Sequence, residues 1–252
     1  WQTTGRALLA RPLLLRLDWI LLLAALGVVA AGLPYLHSAD AERFYKQILW
    51  AIVGFTVMGG MMVIDYRVLL RHAYRLYAAA LLLLVVVLML PPIRHAHSWI
   101  RIPGVPFSIQ PTEIMKLALI LMLARHLRHR DTQATLKGLI APFLLTLIPT
   151  ALILKQPDLG SAMLLPMALF AIIFASGARV RHLAAIAAGG LVSIVPLWMG
   201  FMKAYQKRRV LAFLNPEYYE AREAYQLIMS RISIGSGGLF GQGLHNGRLN
   251  EL

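Results

Sequence analysis

The chain has 252 residues, of which 59% are hydrophobic and 14% are charged, and its formal net charge at pH 7 is +14. Soluble domains usually carry about a quarter of charged residues, so this composition excludes an ordinary soluble domain and indicates a polytopic membrane protein. The basic residues are scattered between apolar runs, which argues against a nucleic-acid partner, and the absence of cysteine excludes a disulfide framework, a thiol nucleophile and a thiolate metal site in this chain.

Seven apolar runs follow one another, each close to the length that a helix needs to cross a bilayer. They are residues 19–36, 48–64, 73–90, 114–127, 138–154, 159–175 and 183–202. The fourth run is short and contains Lys116, so we expect it to be tilted or partly buried against its neighbours. The sequence predicts an all-α, polytopic membrane protein with about seven transmembrane helices, which form a single domain over residues 1–252.

Basic residues are concentrated in alternate loops. Eleven arginines carry this pattern. They lie before the first run, between the second and third, between the fourth and fifth, and after the sixth: Arg6, Arg11, Arg16, Arg67, Arg71, Arg75, Arg125, Arg128, Arg130, Arg179 and Arg181. The positive-inside rule then predicts a cytoplasmic N-terminus. Residues 203–252 would begin a large extracytoplasmic loop.

The outward segment Gln110–Lys116 contains an ionisable pair next to the membrane. Pro111 suits the first position of a helix, which would place Glu113 in the first turn, where the helix dipole favours an anion. Lys116 follows three residues later on the same face, and Glu113 is its nearest candidate partner. The pair is open to two interpretations, a functional site or a structural ion pair.

A short outward segment before that pair carries His95, His97 and Trp99. The two histidines could suggest a metal, but no further ligand stands at a suitable spacing, so interfacial histidines are the simpler interpretation. Trp99 could be an aromatic anchor at the membrane interface.

The segment Lys155–Gly160 separates the fifth and sixth apolar runs. Pro157 lacks an amide proton and biases the residue before it away from helical geometry, so we expect the helix to end there. Lys155 and Asp158 would then lie near the lipid–water boundary. An ordinary turn with solvated charges and a functional site both fit this pattern.

The C-terminal part contains a basic cluster and a glycine-rich segment. Residues 205–209 place three cations near the membrane, which would suit either a phosphate-bearing ligand or anionic lipid head groups. Residues 224–234 predict an amphipathic helix with Arg231 on its polar side. The glycines of residues 235–243 fit neither nucleotide-binding fingerprint and predict only a bent backbone.

Taken in order, five segments resemble the SEDS family (shape, elongation, division and sporulation): Trp99, residues 110–116, residues 156–160, residues 205–210 and residues 234–243. The resemblance extends from about Leu17 to the end of the chain, and the Gln-Pro-Asp-Leu-Gly form is more similar to the RodA branch than to the FtsW branch. It implies a bacterial inner-membrane glycosyltransferase that polymerises lipid II into peptidoglycan for elongation and shape. Its implied partner is a class B penicillin-binding protein.

The resemblance also implies seven site candidates: Trp99, Arg101, Glu113, Lys116, Asp158, Arg209 and Arg231. The arginines would hold phosphate, the tryptophan would contact sugar or lipid, and the other three would form a polar network inside the bundle. No metal ligand is assigned among them. Basic side chains or a divalent cation such as Mg²⁺ would stabilise the departing pyrophosphate.

The family fold has ten helices, and its general base is an aspartate in a Leu-Pro-Glu-Arg-His-Thr-Asp element of the large loop. The chain supplies about seven of these helices and ends at Leu252 before that element, so we expect it to be truncated or incompletely represented, with the catalytic aspartate beyond Leu252 and no catalytic residue before it. Its first residue, Trp1, predicts that the true start is also missing. Two other functions remain open. A membrane cavity with buried charges would also suit a flippase for lipid-linked precursors, and the helices could form a non-catalytic scaffold for the penicillin-binding protein.

Overall fold

The computed structural model describes residues 18–91, 99–101, 108–128, 135–156, 158–202, 204–219, 224–238 and 241–244. Seven apolar helices come first: α1 (Trp19–Ala39), α2 (Ala41–Val63), α3 (Tyr66–Met89), α4 (Pro111–Leu127), α5 (Leu136–Lys155), α6 (Leu159–Ala175) and α7 (Val180–Pro196). They are followed by a π-helical turn (Leu197–Phe201), α8 (Ala204–Leu214), a 3₁₀ turn (Glu217–Tyr219) and α9 (Tyr225–Gly237). Two short strands, β1 (Ile100–Arg101) and β2 (Ser108–Ile109), pair between α3 and α4.

Each predicted apolar run corresponds to one helix, so the helical prediction is confirmed. Helices α1, α2, α3 and α5 are long and apolar enough to cross a membrane, and α6 and the first part of α7 are shorter apolar helices. The second and third helices begin about two turns before the predicted runs, because a hydropathy window stops where charged residues begin. In α2 that charged start is itself helical, with Lys46 Nζ 2.5 Å from Glu42 Oε1 one turn earlier.

The described chain forms two compact units. The first comprises the described residues between 18 and 63 and between 202 and 244, and the second comprises those between 64 and 201. In the first unit α1 packs against α2, and Asp18 caps α1 by accepting a hydrogen bond from Leu21 N at 3.1 Å. The prediction of a single domain over the whole chain stays a prediction.

Helix α4 lies at the centre of the second unit. It contacts α3, α5 and α6, and the α3–α4 packing is the most extensive in the chain. Eight of its residues are buried: Pro111, Thr112, Met115, Ala118, Leu119, Met122, Leu123 and Leu127. This burial confirms that the short fourth helix is packed against its neighbours, and it explains how a 17-residue helix with a lysine is accommodated in an apolar bundle.

Helix α5 contains Pro142 and Pro149, and each leaves one backbone carbonyl of the helix without its usual partner. The carbonyl that Pro149 cannot bond is that of Leu145, four residues earlier. Tyr77 of α3 donates its hydroxyl to this oxygen at 2.7 Å. A neighbouring helix therefore supplies the donor that the proline lacks, as an apolar environment requires.

Helix α9 begins one residue after the predicted start and runs three residues further than predicted, through Gly235 and Gly237. The backbone turns at Gly238, whose φ of +54° is readily adopted only by glycine. The predicted bend therefore exists but lies later in the glycine segment. Two glycines inside a helix cost some stability, but they do not break the hydrogen-bond ladder.

Candidate functional site

The N-terminal ends of α4 and α6 are joined by a side-chain hydrogen bond. Gln110 is the N-cap residue of α4, but its side chain does not cap its own helix. Instead its Nε2 donates to Oδ2 of Asp158 at 3.2 Å, across 48 residues of sequence. The two segments that the sequence analysis singled out separately therefore form one polar site.

Asp158 is held from two sides. It is the N-cap residue of α6, and its Oδ1 accepts a hydrogen bond from Ser161 N at 3.1 Å. Its other oxygen accepts the hydrogen bond from Gln110. The N-terminus of α6 favours a negative charge here, so the carboxylate is fixed in position and its charge is stabilised by the helix. The predicted end of α5 before Pro157 is confirmed, since the helix stops at Lys155.

The predicted pair of Glu113 and Lys116 is present. Pro111 occupies the start of α4, Glu113 lies in the first turn, and Lys116 Nζ is 2.7 Å from Glu113 Oε1. The lysine side chain is 26% exposed and the glutamate 58%, so the pair lies at the edge of the bundle. Within the described residues no hydrogen bond or ion pair joins this pair to Asp158, and the three-residue network stays a prediction.

Two buried polar side chains of the same motifs complete this end of the bundle. Gln156 is fully buried and donates from Nε2 to the carbonyl oxygen of Leu84 in α3 at 3.3 Å. Thr112 is also fully buried, and within the described part of the chain its hydroxyl has no hydrogen-bond partner. Gln110, Thr112 and Gln156 were not predicted as site residues, although each lies in one of the motifs that resemble the family.

The two short strands bring Trp99 to the same site. Antiparallel pairing of Ile100 with Ile109 places the preceding residue, Trp99, opposite Gln110. Trp99 is 40% exposed, so part of its ring is available to a ligand. The backbone of Arg101 pairs with Ser108 in the same ladder, which places this candidate two residues beyond Trp99 along the hairpin.

The remaining candidates belong to the first unit. Arg209 is in α8, and Arg231 is an exposed residue of α9. Their role in holding phosphate stays a prediction. His95 and His97 lie outside the described residues.

The described residues contain no cluster of metal-ligating side chains. Over the described ranges, no three residues among His, Asp and Glu lie close enough together to hold a metal. Asp158 already uses each carboxylate oxygen to accept a hydrogen bond from Ser161 or Gln110.

The apolar helices and the polar site at their ends define a multi-pass membrane protein. Residues 12–252 match the FtsW/RodA/SpoVE family model, described as "Cell cycle protein". The chain therefore belongs to this family, the SEDS proteins, as its motifs indicated, and it is a multi-pass bacterial membrane protein.

Several relatives and solved structures are similar over most of the chain. A probable peptidoglycan glycosyltransferase FtsW of Geobacter sp. (strain M18) is 34% identical over 92% of this chain and 66% of its own length. The peptidoglycan glycosyltransferase MrdB of Escherichia coli (strain K12) is also 34% identical, over 92% of this chain and 63% of its own. The chain thus spans slightly less than two thirds of these relatives.

Solved structures agree on the fold. A chain from a peptidoglycan synthase complex, described for its coordination of polymerization and crosslinking, has a TM-score of 0.75 and 36% identity over 88% of this chain and 66% of its own. The rod shape determining protein RodA of Thermus thermophilus has a TM-score of 0.62 and 31% identity over 86% of this chain and 74% of its own. The all-α, polytopic membrane fold is therefore confirmed.

Proposed function

We propose that this protein is a peptidoglycan glycosyltransferase that polymerises lipid II into glycan strands. The observation that carries the proposal is the hydrogen bond between Gln110 and Asp158, which joins two family motifs into one outward-facing polar site. Family membership and relatives named as peptidoglycan glycosyltransferases support it. The positive-inside rule places this end of the bundle on the side of the membrane away from the cytoplasm, and cell-wall polymerisation takes place on that side.

The reaction joins two lipid-linked sugars. A sugar hydroxyl of one lipid II attacks the anomeric carbon of the other, the new glycosidic bond forms as the bond to the lipid pyrophosphate breaks, and a general base takes the hydroxyl proton. Asp158 is bonded to Ser161 and Gln110, so we assign it a positioning role at the ends of α4 and α6 and not the role of base. Trp99 offers a partly exposed ring beside this site for a sugar or lipid contact.

The leaving pyrophosphate needs cations, and we propose that Arg101, Arg209 and Arg231 supply them. A guanidinium can bind phosphate oxygens through two parallel hydrogen bonds, which suits a diphosphate better than a single lysine does. Lys116 is already paired with Glu113, so it is assigned to holding the first turn of α4 and not to the substrate.

We further propose a RodA-like role in elongation, in the bacterial inner membrane, with a class B penicillin-binding protein as partner. The Gln-Pro-Asp-Leu-Gly form of residues 156–160 supports the RodA branch. The FtsW and MrdB relatives have the same sequence identity to this chain, so the assignment to the RodA branch depends on the motif. Rescue of cell shape, and not of division, in depleted strains would support the assignment; rescue of division alone would contradict it.

The activity is tested with purified full-length protein and its partner on lipid II, by separating glycan strands on a gel. Asp158→Ala should reduce strand formation sharply, whereas Asp158→Asn should retain much of it, because asparagine also caps helices and hydrogen-bonds. Asp18→Ala is the matched control, since Asp18 caps α1 with the same 3.1 Å geometry far from the motifs in sequence. The Asp18→Ala variant should form glycan strands as the wild type does.

A positioning role predicts that Asp158→Ala lowers kcat more than it raises KM, because the misplaced site loses transition-state contacts. Full activity of Asp158→Ala would contradict the role of Asp158. Movement of lipid II across sealed vesicles without any polymer would indicate a flippase instead. A complex in which only the partner is active would indicate a scaffold.

A further inference from the structure

A polar cavity lies at the end of the α3–α4 pair opposite the Gln110–Asp158 site. It has a volume of about 490 Å³ and is lined by Arg67, Leu70, Arg71, Tyr74, Arg125, His126 and Arg128. These residues come from the start of α3 and the end of α4, whereas Gln110 and Asp158 lie at the other end of α4. The size is within the range of small-ligand sites in proteins.

The cavity is held together by Arg125. Its guanidinium donates to the carbonyl oxygen of Leu70 at 2.8 Å and to that of Arg71. The same guanidinium lies over the ring of Tyr74, 5.1 Å from the centroid, and Tyr74 in turn shares a hydrogen bond of 3.0 Å with His126. Arg125 thus fixes the wall of the cavity and leaves three other arginines to face a ligand.

Among the described residues, the arginines that line this cavity take part in no ion pair. Arg67, Arg71 and Arg128 are exposed, and no described carboxylate lies within ion-pair distance of any of the four guanidinium groups. Asp65 precedes α3 and caps it by accepting a hydrogen bond from Arg67 N at 2.8 Å. The Asp65 carboxylate also acts electrostatically on Arg67. Four arginines that form no ion pair with a described carboxylate still favour an anionic ligand around this cavity, and guanidinium groups suit phosphate in particular.

The position of the cavity indicates what kind of phosphate-bearing ligand it binds. Arginines at this end of the helices are those that the positive-inside rule places at the cytoplasmic face, at the depth of the lipid head groups. Tyr74 is an aromatic residue of the kind that sits at this depth, and apolar, exposed stretches of α3 lead from it into the membrane. A ligand with a phosphate at the head-group level and apolar chains beyond it fits this arrangement better than a free anion does.

We propose that this cavity binds the head group of an anionic phospholipid of the cytoplasmic leaflet. The phosphate would be held by Arg67, Arg71 and Arg128, with Arg125 and Tyr74 forming the wall. The bound lipid would connect the start of α3 to the end of α4 on the side opposite the Gln110–Asp158 site. This binding is independent of the proposed polymerase activity.

The test measures lipid retention by native mass spectrometry of the full-length protein, released from nanodiscs with equal amounts of phosphatidylglycerol and phosphatidylcholine. The test variant is Arg67→Gln, Arg71→Gln, Arg128→Gln. The matched control is Arg75→Gln, Arg179→Gln, Arg181→Gln, which removes the same charge from exposed arginines that do not line the cavity. We expect the wild type to retain phosphatidylglycerol in preference to phosphatidylcholine. The ratio of the two retained lipids should fall at least about tenfold in the test variant and should stay within about twofold of the wild-type ratio in the control.

Equal losses in both triple variants would overturn the proposal, because they would show attraction by the whole basic surface. Full retention of phosphatidylglycerol by the test variant would also overturn the proposal. Displacement of the lipid by inorganic pyrophosphate would overturn it as well. If the triple variant does not fold, Arg128→Gln alone decides the question, since Arg128 lies at the exposed end of α4. It should lower the preference by about fivefold, and an unchanged preference would contradict the site.

Discussion

Replacing Gln110 by alanine isolates the contact between α4 and α6. The Gln110 side chain makes no cap bond to its own helix, so the substitution removes the bond to Asp158 and leaves the capping of α4 unchanged. A hydrogen bond to a charged group contributes about 1.5–3 kcal/mol. Asp158 is partly exposed, which places this bond near the lower limit. We therefore expect Gln110→Ala to lower the free energy of unfolding by about 1.5 kcal/mol.

Asp158→Ala removes two interactions together. It loses the bond to Gln110 and also the N-cap of α6, which contributes about 1 kcal/mol. We therefore expect Asp158→Ala to lower the free energy of unfolding by about 2.5 kcal/mol. The double variant should cost the same, because the bond between the two residues can be lost only once; independent sites would give about 4 kcal/mol. Asp18→Ala, which removes a cap alone, should cost about 1 kcal/mol.

The assay is reversible unfolding by sodium dodecyl sulfate in mixed micelles, followed by far-ultraviolet circular dichroism. The double-mutant cycle should give a coupling free energy of about 1.5 kcal/mol between Gln110 and Asp158. A coupling below about 0.5 kcal/mol would refute the reasoning, since that is the scatter expected for residues that do not interact. The Asp18 control separates loss of a helix cap from loss of the contact between helices.

Three further substitutions test the packing with the same assay. Tyr77→Phe should cost about 1–3 kcal/mol, because it leaves the carbonyl of Leu145 without a donor beside Pro149; a loss below about 0.5 kcal/mol would contradict this role. Arg125→Met should cost about 1.5–3 kcal/mol through its lost bonds to α3, and an unchanged stability would show that these bonds contribute nothing. Gly238→Ala should cost about 1–3 kcal/mol from backbone strain alone, since an added Cβ meets nothing within 4 Å; a neutral result would contradict the positive φ.

The fold and the local pairs could be predicted because they depend on short sequence distances. Apolar runs of bilayer length identified all seven helices from Trp19 to Pro196, and the proline at the start of α4 fixed where that helix begins. The pair of Glu113 and Lys116 followed from a spacing of three residues within one helix. Charged helix starts were missed, since hydropathy does not register them.

The contacts between helices could not be predicted in the same way. Gln110 meets Asp158 across 48 residues, and Gln156 meets the carbonyl of Leu84 across 72. Such contacts depend on how helices are arranged in space, which periodicity does not encode. The arginine cavity was missed for a related reason. Its residues were used only to orient the chain, and their convergence depends on the antiparallel packing of α3 and α4.

The most direct test of the account is photo-crosslinking of lipid II to the full-length protein. A photoreactive phenylalanine analogue would replace Trp99 in one variant and Tyr66 in the other; both are exposed aromatic residues, at opposite ends of the α3–α4 region. We predict a lipid II adduct from position 99 and none from position 66, because the site formed by Gln110 and Asp158 lies beside Trp99. An adduct from position 66 alone, or equal adducts from both, would contradict a substrate site at the ends of α4 and α6.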